Sequence, residues 1–151
     1  MQTREIKALA PEDVDRLRNA EGMGLALAAE LNHYPGPKHV LELAERLHLS
    51  GSQTAQIRQI ERQMRTAALR LGEEIITQER LLDRAFATRR IDDGELRRRT
   101  VEIGRLTGEL RYTHLRAHLA VAAVLTRDQI RRYDELRGYA EAESPRGRRR
   151  S

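Results

Sequence analysis

Two histidines four residues apart offer the sharpest chemistry in the chain. The run Tyr112-Thr113-His114-Leu115-Arg116-Ala117-His118 puts two imidazoles at i and i+4. On a helix these share a face and can clasp one divalent ion such as zinc, copper, nickel or cobalt. Two ligands do not complete a site, because a closed zinc site takes four and an open one three plus water. His33, His39, Glu42 or a second subunit are the sources of further ligands. His114 also falls on the apolar stripe of its own helix, where a core histidine bonded to a neighbour is the competing reading. No cofactor is required by any other feature.

Enzyme chemistry finds no foothold. There is no His-Glu-x-x-His, and Gly22-Met23-Gly24 lacks both the third glycine and the preceding strand of a dinucleotide loop. Cysteine is absent, which removes thiol catalysis, disulfides and thiolate metal sites. Ser50 and Ser52 serve to start a helix. The adjacent acids Glu73-Glu74 and Asp92-Asp93 belong to solvated surfaces and turns. The chain is expected to bind rather than to transform.

The elements that carry these residues are helices. Charged residues make up 34% of the chain, aromatics only 3%, and Ala, Leu, Arg and Glu dominate, a composition that suits long helices. Pro11-Glu12-Asp13-Val14 starts a short helix reaching about Arg18, with proline and acids in the first turn. Leu25 to Leu31 makes one or two further turns. Tyr34-Pro35-Gly36-Pro37 then turns the chain, and Pro37 opens a helix to about Leu47. Ser50 followed by Gln53 is a capping box.

From Gly51 to about Arg90 there is no proline, and the only glycine inside the helix is Gly72. Ile57, Ile60, Met64, Ala67, Leu71, Ile75, Gln78, Leu82 and Phe86 form one stripe at helical spacing. Asp92-Asp93-Gly94 reverses the chain. A second long helix runs to Leu125, with Leu96, Ile103, Leu106, Leu110, His114, Ala117, Val121 and Val124 as its stripe. Each of these helices spans about 50 Å, and the tight reversal makes them antiparallel. Thr126 and Gln129 form a second capping box, opening a last helix with Ile130, Tyr133, Leu136 and Tyr139. The expected fold is all-α, a long antiparallel helical hairpin with flanking shorter helices.

Arginine alternates with apolar residues along both long helices, at Arg58, Arg62, Arg65, Arg70 and Arg80 and again at Arg97, Arg98, Arg99, Arg105, Arg111 and Arg116. Their stems cover apolar surface while their heads stay wet. An ordinary solvated face supported by pairs with Glu61, Glu73, Glu102 and Glu109 would look the same. The net charge of +5 is concentrated at the end, where Pro145 to Ser151 holds four arginines and no acid. Without those four, the remaining basic residues nearly balance the 23 acids. Nucleic acid is therefore not an expected partner of the folded part; the basic tail reads as a solvated end, or as a contact with anionic lipid, nucleic acid or an acidic client. No stretch is apolar enough to span a membrane. No signal peptide is visible, so an exported protein would begin here after its targeting segment was removed.

Leu125-Thr126-Arg127-Asp128-Gln129, followed by Tyr133 and Leu136, resembles the LTxxQ signature of the Spy/CpxP group of bacterial envelope proteins. Leu49-Ser50-Gly51-Ser52-Gln53 sits where that family has its other copy, with serine for threonine and an inserted-looking glycine. The stretch from Gly22-Met23-Gly24-Leu25 through Tyr34-Pro35-Gly36-Pro37 to Ala44 is similar to a refolding-chaperone subgroup. The likeness covers roughly residues 20 to 140, and the two copies flank a long helical hairpin as the family would have them.

The resemblance implies a four-helix hook, a homodimer with a concave face and a periplasmic location. It implies an ATP-independent chaperone or envelope stress-response protein that holds unfolded or misfolded clients. Arg58, Arg62, Arg65, Arg105 and Met64 are the candidate client contacts. The alternative it implies is a metal-binding or metal-sensing protein. There His114 and His118 would stand in for the His-xxx-Met pair of sensing relatives, with His39 and Glu42 as further candidates. The expected organisation is a partly flexible N-terminal arm over 1–20, the LTxxQ-family helical domain over 21–142 and a disordered basic tail over 143–151.

Overall fold

The computed structural model describes residues 6–139. Among them it is all-helical and built on a long helical hairpin, with the elements α1 Pro11–Arg18, α2 Leu27–Glu30, α3 Pro37–Glu42, α4 Gly51–Ala87, α5 Asp93–Val124 and α6 Arg127–Arg137. The expected tail at 143–151 lies outside the described residues. The two long helices take part in both of two compact units, one made of residues 6–23 and 65–114, the other of 24–64 and 115–139.

In the first unit, α1 starts on Pro11, with Glu12 and Asp13 in its first turn and Arg16 and Arg18 in its last, each placed to oppose the helix dipole. Leu17 is buried, and so are Leu71, Ile75, Ile76, Leu106 and Leu110 on the two long helices. Gly72 explains how α1 comes so close. A Cβ there would lie 2.4 Å from the Leu17 carbonyl oxygen, so a backbone occupies the place of the missing side chain. Within the segment expected as a partly flexible arm over 1–20, Ile6 is buried, and Lys7 donates to the Asp83 carboxylate through both its backbone N–H and its ammonium. That carboxyl is held below its ordinary value by the two Lys7 bonds.

In the second unit, Val40, Leu47, Ile57, Val121, Leu125 and Tyr133 form one buried cluster, with Leu41, Leu43, Leu49, Ile60, Ile130 and Leu136 packed on it. α3 is shorter than its sequence suggests, ending at Glu42 instead of about Leu47. The following residues continue as turns, closed where Leu49 N–H returns to the Ala44 carbonyl and His48 takes a left-handed conformation.

That closure is a recurring device. Ala20, His33, His48 and Arg89 all have positive φ, and the residue after each one donates to a carbonyl five positions back. This is the Schellman geometry, usually built on glycine. Only Gly138, ending α6, follows the usual choice. Arg89 and Arg90 close α4 in this way, so the helix stops at Ala87, short of the expected Arg90. Asp92 then caps α5, its Oδ1 accepting from Glu95 N–H at 2.8 Å.

The apolar stripes hold along most of both long helices, with one exception. Phe86, expected to face inward, is 54% exposed. The helix ends directly after it, at Ala87.

Candidate functional site

The two LTxxQ-like segments meet in the second unit. Leu125 belongs to the buried cluster and Leu49 packs against it, so the first position of each motif serves the core. Ser50 Oγ accepts from Gln53 N–H, and Gln53 Oε1 accepts from Ser50 N–H, both at 3.0 Å. Thr126 and Gln129 repeat the arrangement at 3.1 and 2.9 Å. Both are capping boxes as the sequence predicts.

The glutamines do more than cap. Gln53 Nε2 donates to Gln129 Oε1 at 2.8 Å, and Gln129 Nε2 donates back to Gln53 Oε1 at 3.0 Å. Each amide also reaches a carbonyl at the end of the segment preceding the other motif. Gln53 donates to Val124 O at 3.1 Å, and Gln129 donates to Leu47 O at 3.2 Å. Each motif thus bonds a backbone carbonyl just ahead of the other, Val124 O at the end of α5 and Leu47 O in the turns that follow α3.

A second polar cluster lies in the same unit and centres on Glu30. His118 Nε2 is 3.0 Å from Glu30 Oε2, Tyr133 donates a short hydrogen bond to Oε1, and Tyr139 donates to the same oxygen at 3.3 Å. Arg137 Nε stands 4.0 Å away. One carboxylate therefore joins α2, α5 and α6. Burial works against its charge, but the bonds from His118 and Tyr133 and the charges of His118 and Arg137 outweigh that and hold the carboxyl below its ordinary value. Burial, the bond to Glu30 and the charge of Glu30 push the Tyr133 hydroxyl up. Gly36 leaves room for the imidazole, since a Cβ there would lie 2.7 Å from His118 Nε2. Beside this cluster His33 Nδ1 sits 2.6 Å from Asp134 Oδ2.

The metal candidates are distributed differently from the clasp their spacing suggests. His118 directs its Nε2 to Glu30, so an ion at that nitrogen would have to displace the Glu30 contact. His114 is 3% exposed in the first unit, with Gly22 beside its Nδ1. His39 and Glu42 form an exposed pair at 3.0 Å, and this bond lowers the Glu42 carboxyl. Among the described residues, no three His, Asp or Glu side chains are gathered as metal ligands.

The candidate client contacts lie mostly on the surface. Arg58 and Arg62 are exposed and Met64 is half-buried in the second unit, with Arg62 donating to Gln59 at 2.7 Å. In the first unit, Arg65 reaches the Asn19 carbonyl at 3.2 Å, and Arg105 is held by Glu102 through two bonds.

Sequence reasoning missed Glu30 as a site residue and read Tyr133 as a position of the last helix and of the LTxxQ-like segment, with no partner for its hydroxyl. The signal was there in Leu25-Ala26-Leu27-Ala28-Ala29-Glu30-Leu31, a single acid in an otherwise apolar run. A fully buried tyrosine also needs an acceptor for its hydroxyl.

No protein-family model matches the chain, no curated protein matches it, and no solved structure matches it. Among the described residues, no helix is long and apolar enough to cross a membrane.

Proposed function

We propose that the protein is an ATP-independent periplasmic chaperone of the Spy/CpxP type, which holds unfolded or misfolded polypeptides as a homodimer. The observation that carries this reading is the placement of its aromatic residues. The chain has five Phe and Tyr residues, and three of them lie largely outside: Tyr34 at 41%, Phe86 at 54% and Tyr112 at 56% exposure. Tyr133 is the one ring buried in the core cluster, which is otherwise aliphatic, and three rings that could fill a core are left on the surface.

Large aliphatic side chains are exposed as well. In the first unit Val101 is 59% exposed, beside the charged pair of Glu102 and Arg105. In the second, Leu27, Leu31 and Leu119 are all more than half exposed. Apolar groups set among charges suit transient capture: the apolar groups hold a client's exposed core residues, and the hydrated charges prevent a permanent lock. The paired LTxxQ-like motifs support the family resemblance on which the compartment and the dimer rest.

The test is suppression of aggregation. A chemically denatured client is diluted into buffer with equimolar protein and no nucleotide, and light scattering is followed. Scattering should fall severalfold, and Tyr112→Ser with Val101→Ser should restore much of it while circular dichroism stays unchanged. Undiminished scattering with the unmodified protein would refute the reading.

A further inference from the structure

The turn between α4 and α5 carries an arrangement of charge that client capture does not use. In the first unit most arginines are held by a partner. Arg16 pairs with Asp13, Arg18 with Glu73, Arg70 with Glu74, Arg98 with Glu95 and Arg105 with Glu102. Arg84, Arg89, Arg90 and Arg97 are exposed and make no ion pair among the described residues. All four lie within four residues of Ala87 or Asp93, the facing ends of the two helices. On an α-helix that is about 6 Å of axis. Phe86, the chain's only phenylalanine, stands among them at 54% exposure. Of the acids at this end, Asp92 is engaged in capping α5 and Glu95 is shared by Arg98 and Arg99. Asp93 is the remaining exposed acid.

We propose that this end of the hairpin docks on an anionic lipid surface, with Phe86 entering the interface and Arg84, Arg89, Arg90 and Arg97 meeting the headgroups. Two features favour a bilayer over a nucleic acid. Within the first unit the unpaired cations are gathered at one end of the hairpin and not strung along a helix, where a polyanionic strand would track them. A bilayer also offers an apolar layer directly beneath its charged one, which suits an exposed aromatic ring within a few residues of unpaired arginines. The proposal shares the exposed Phe86 with the chaperone reading but stands on the four arginines around the turn, and its test involves no client.

The chain has no tryptophan, so Phe86→Trp in the full-length protein supplies a single reporter at the proposed contact. Its emission is followed as phosphatidylcholine vesicles, with and without phosphatidylglycerol, are added. The expected result is a blue shift with the anionic vesicles only, reversed by high salt. Arg89→Asn with Arg90→Gln in the same background should weaken partitioning about 25-fold, at about fivefold per basic residue. Asparagine tolerates the left-handed backbone at Arg89. Asp93→Asn should strengthen partitioning.

The proposal is overturned if the emission does not move. It is equally overturned if the shift is the same without phosphatidylglycerol, if the double substitution leaves partitioning unchanged, or if deleting residues 145–151 alone abolishes it. A shift produced by single-stranded RNA but not by vesicles would also overturn it and assign the surface to nucleic acid.

Discussion

The side-chain amides of Gln53 and Gln129 face each other, each donating to the other's oxygen at 2.8 and 3.0 Å. They are 76 residues apart in the chain and occupy the same position in two similar capping boxes. A capping glutamine ordinarily completes its role within its own helix. Here each one also bonds the segment that precedes the other motif. Removing either side chain takes the reciprocal partner from the other amide and leaves backbone groups unpaired, Ser50 N–H and Val124 O in the case of Gln53, Thr126 N–H and Leu47 O in the case of Gln129. Gln53→Ala and Gln129→Ala should therefore each cost about 2 kcal/mol in chemical denaturation. The double variant should cost less than the sum of the two by about 1 kcal/mol, because the second change removes a partner already lost. Strict additivity would mean that the two boxes act separately.

Glu30 predicts an acid dependence. Its carboxyl lies below the ordinary 4.5, so the folded state favours the ionised form more than the unfolded state does. That contribution is complete above about pH 4.5 and is lost as pH falls through the folded value. Glu30→Gln should lower stability by about 2 kcal/mol at neutral pH, since His118 and Tyr133 lose a charged acceptor. The gap between variant and unmodified protein should narrow steadily on acidification. A gap that stays constant with pH would show that shape, and not charge, is what the site requires.

Glycines in the long helices separate by what lies against them. Gly72→Ala places a methyl group where the Leu17 carbonyl sits, so it should destabilise the protein and loosen α1 despite alanine's better helix propensity. At Gly104 and Gly108 nothing lies within 4 Å of an added Cβ. Alanine there should raise stability by about 1 kcal/mol each. Thermal melts of the three variants decide the point by sign alone.

His48 is exposed and holds a left-handed backbone at φ 54°. His48→Gly should relieve that strain and raise stability by about 1 kcal/mol, whereas His48→Val should lower it. Equal melting temperatures for the two variants would contradict the strain.

Gly36→Ala crowds the His118 imidazole at its bond to Glu30. The expected outcome is a loss of stability that largely disappears in a Glu30→Gln background, since the bond being disturbed is already weakened there. Full persistence in that background would place the clash elsewhere.

Local pattern alone determined much of this molecule. Helix starts at Pro11, Pro37, Ser50 and Thr126 were legible because capping and proline chemistry act over three or four residues. The two stripes, the reversal at Asp92 and the all-helical class followed from spacing in the same way. Chain closures were less legible, because those after α1, α2 and α4 and after the turns that follow α3 fall on Ala20, His33, Arg89 and His48, where a sequence reader looks for glycine. Tertiary structure decided what side chains at long separation do. It alone placed Leu17's carbonyl over Gly72, turned Phe86 outward and joined Gln53 to Gln129. It also directed His118 to Glu30, 88 residues away. An i,i+4 spacing establishes that two histidines share a helical face, but which partner each nitrogen meets depends on the chain packed against that face.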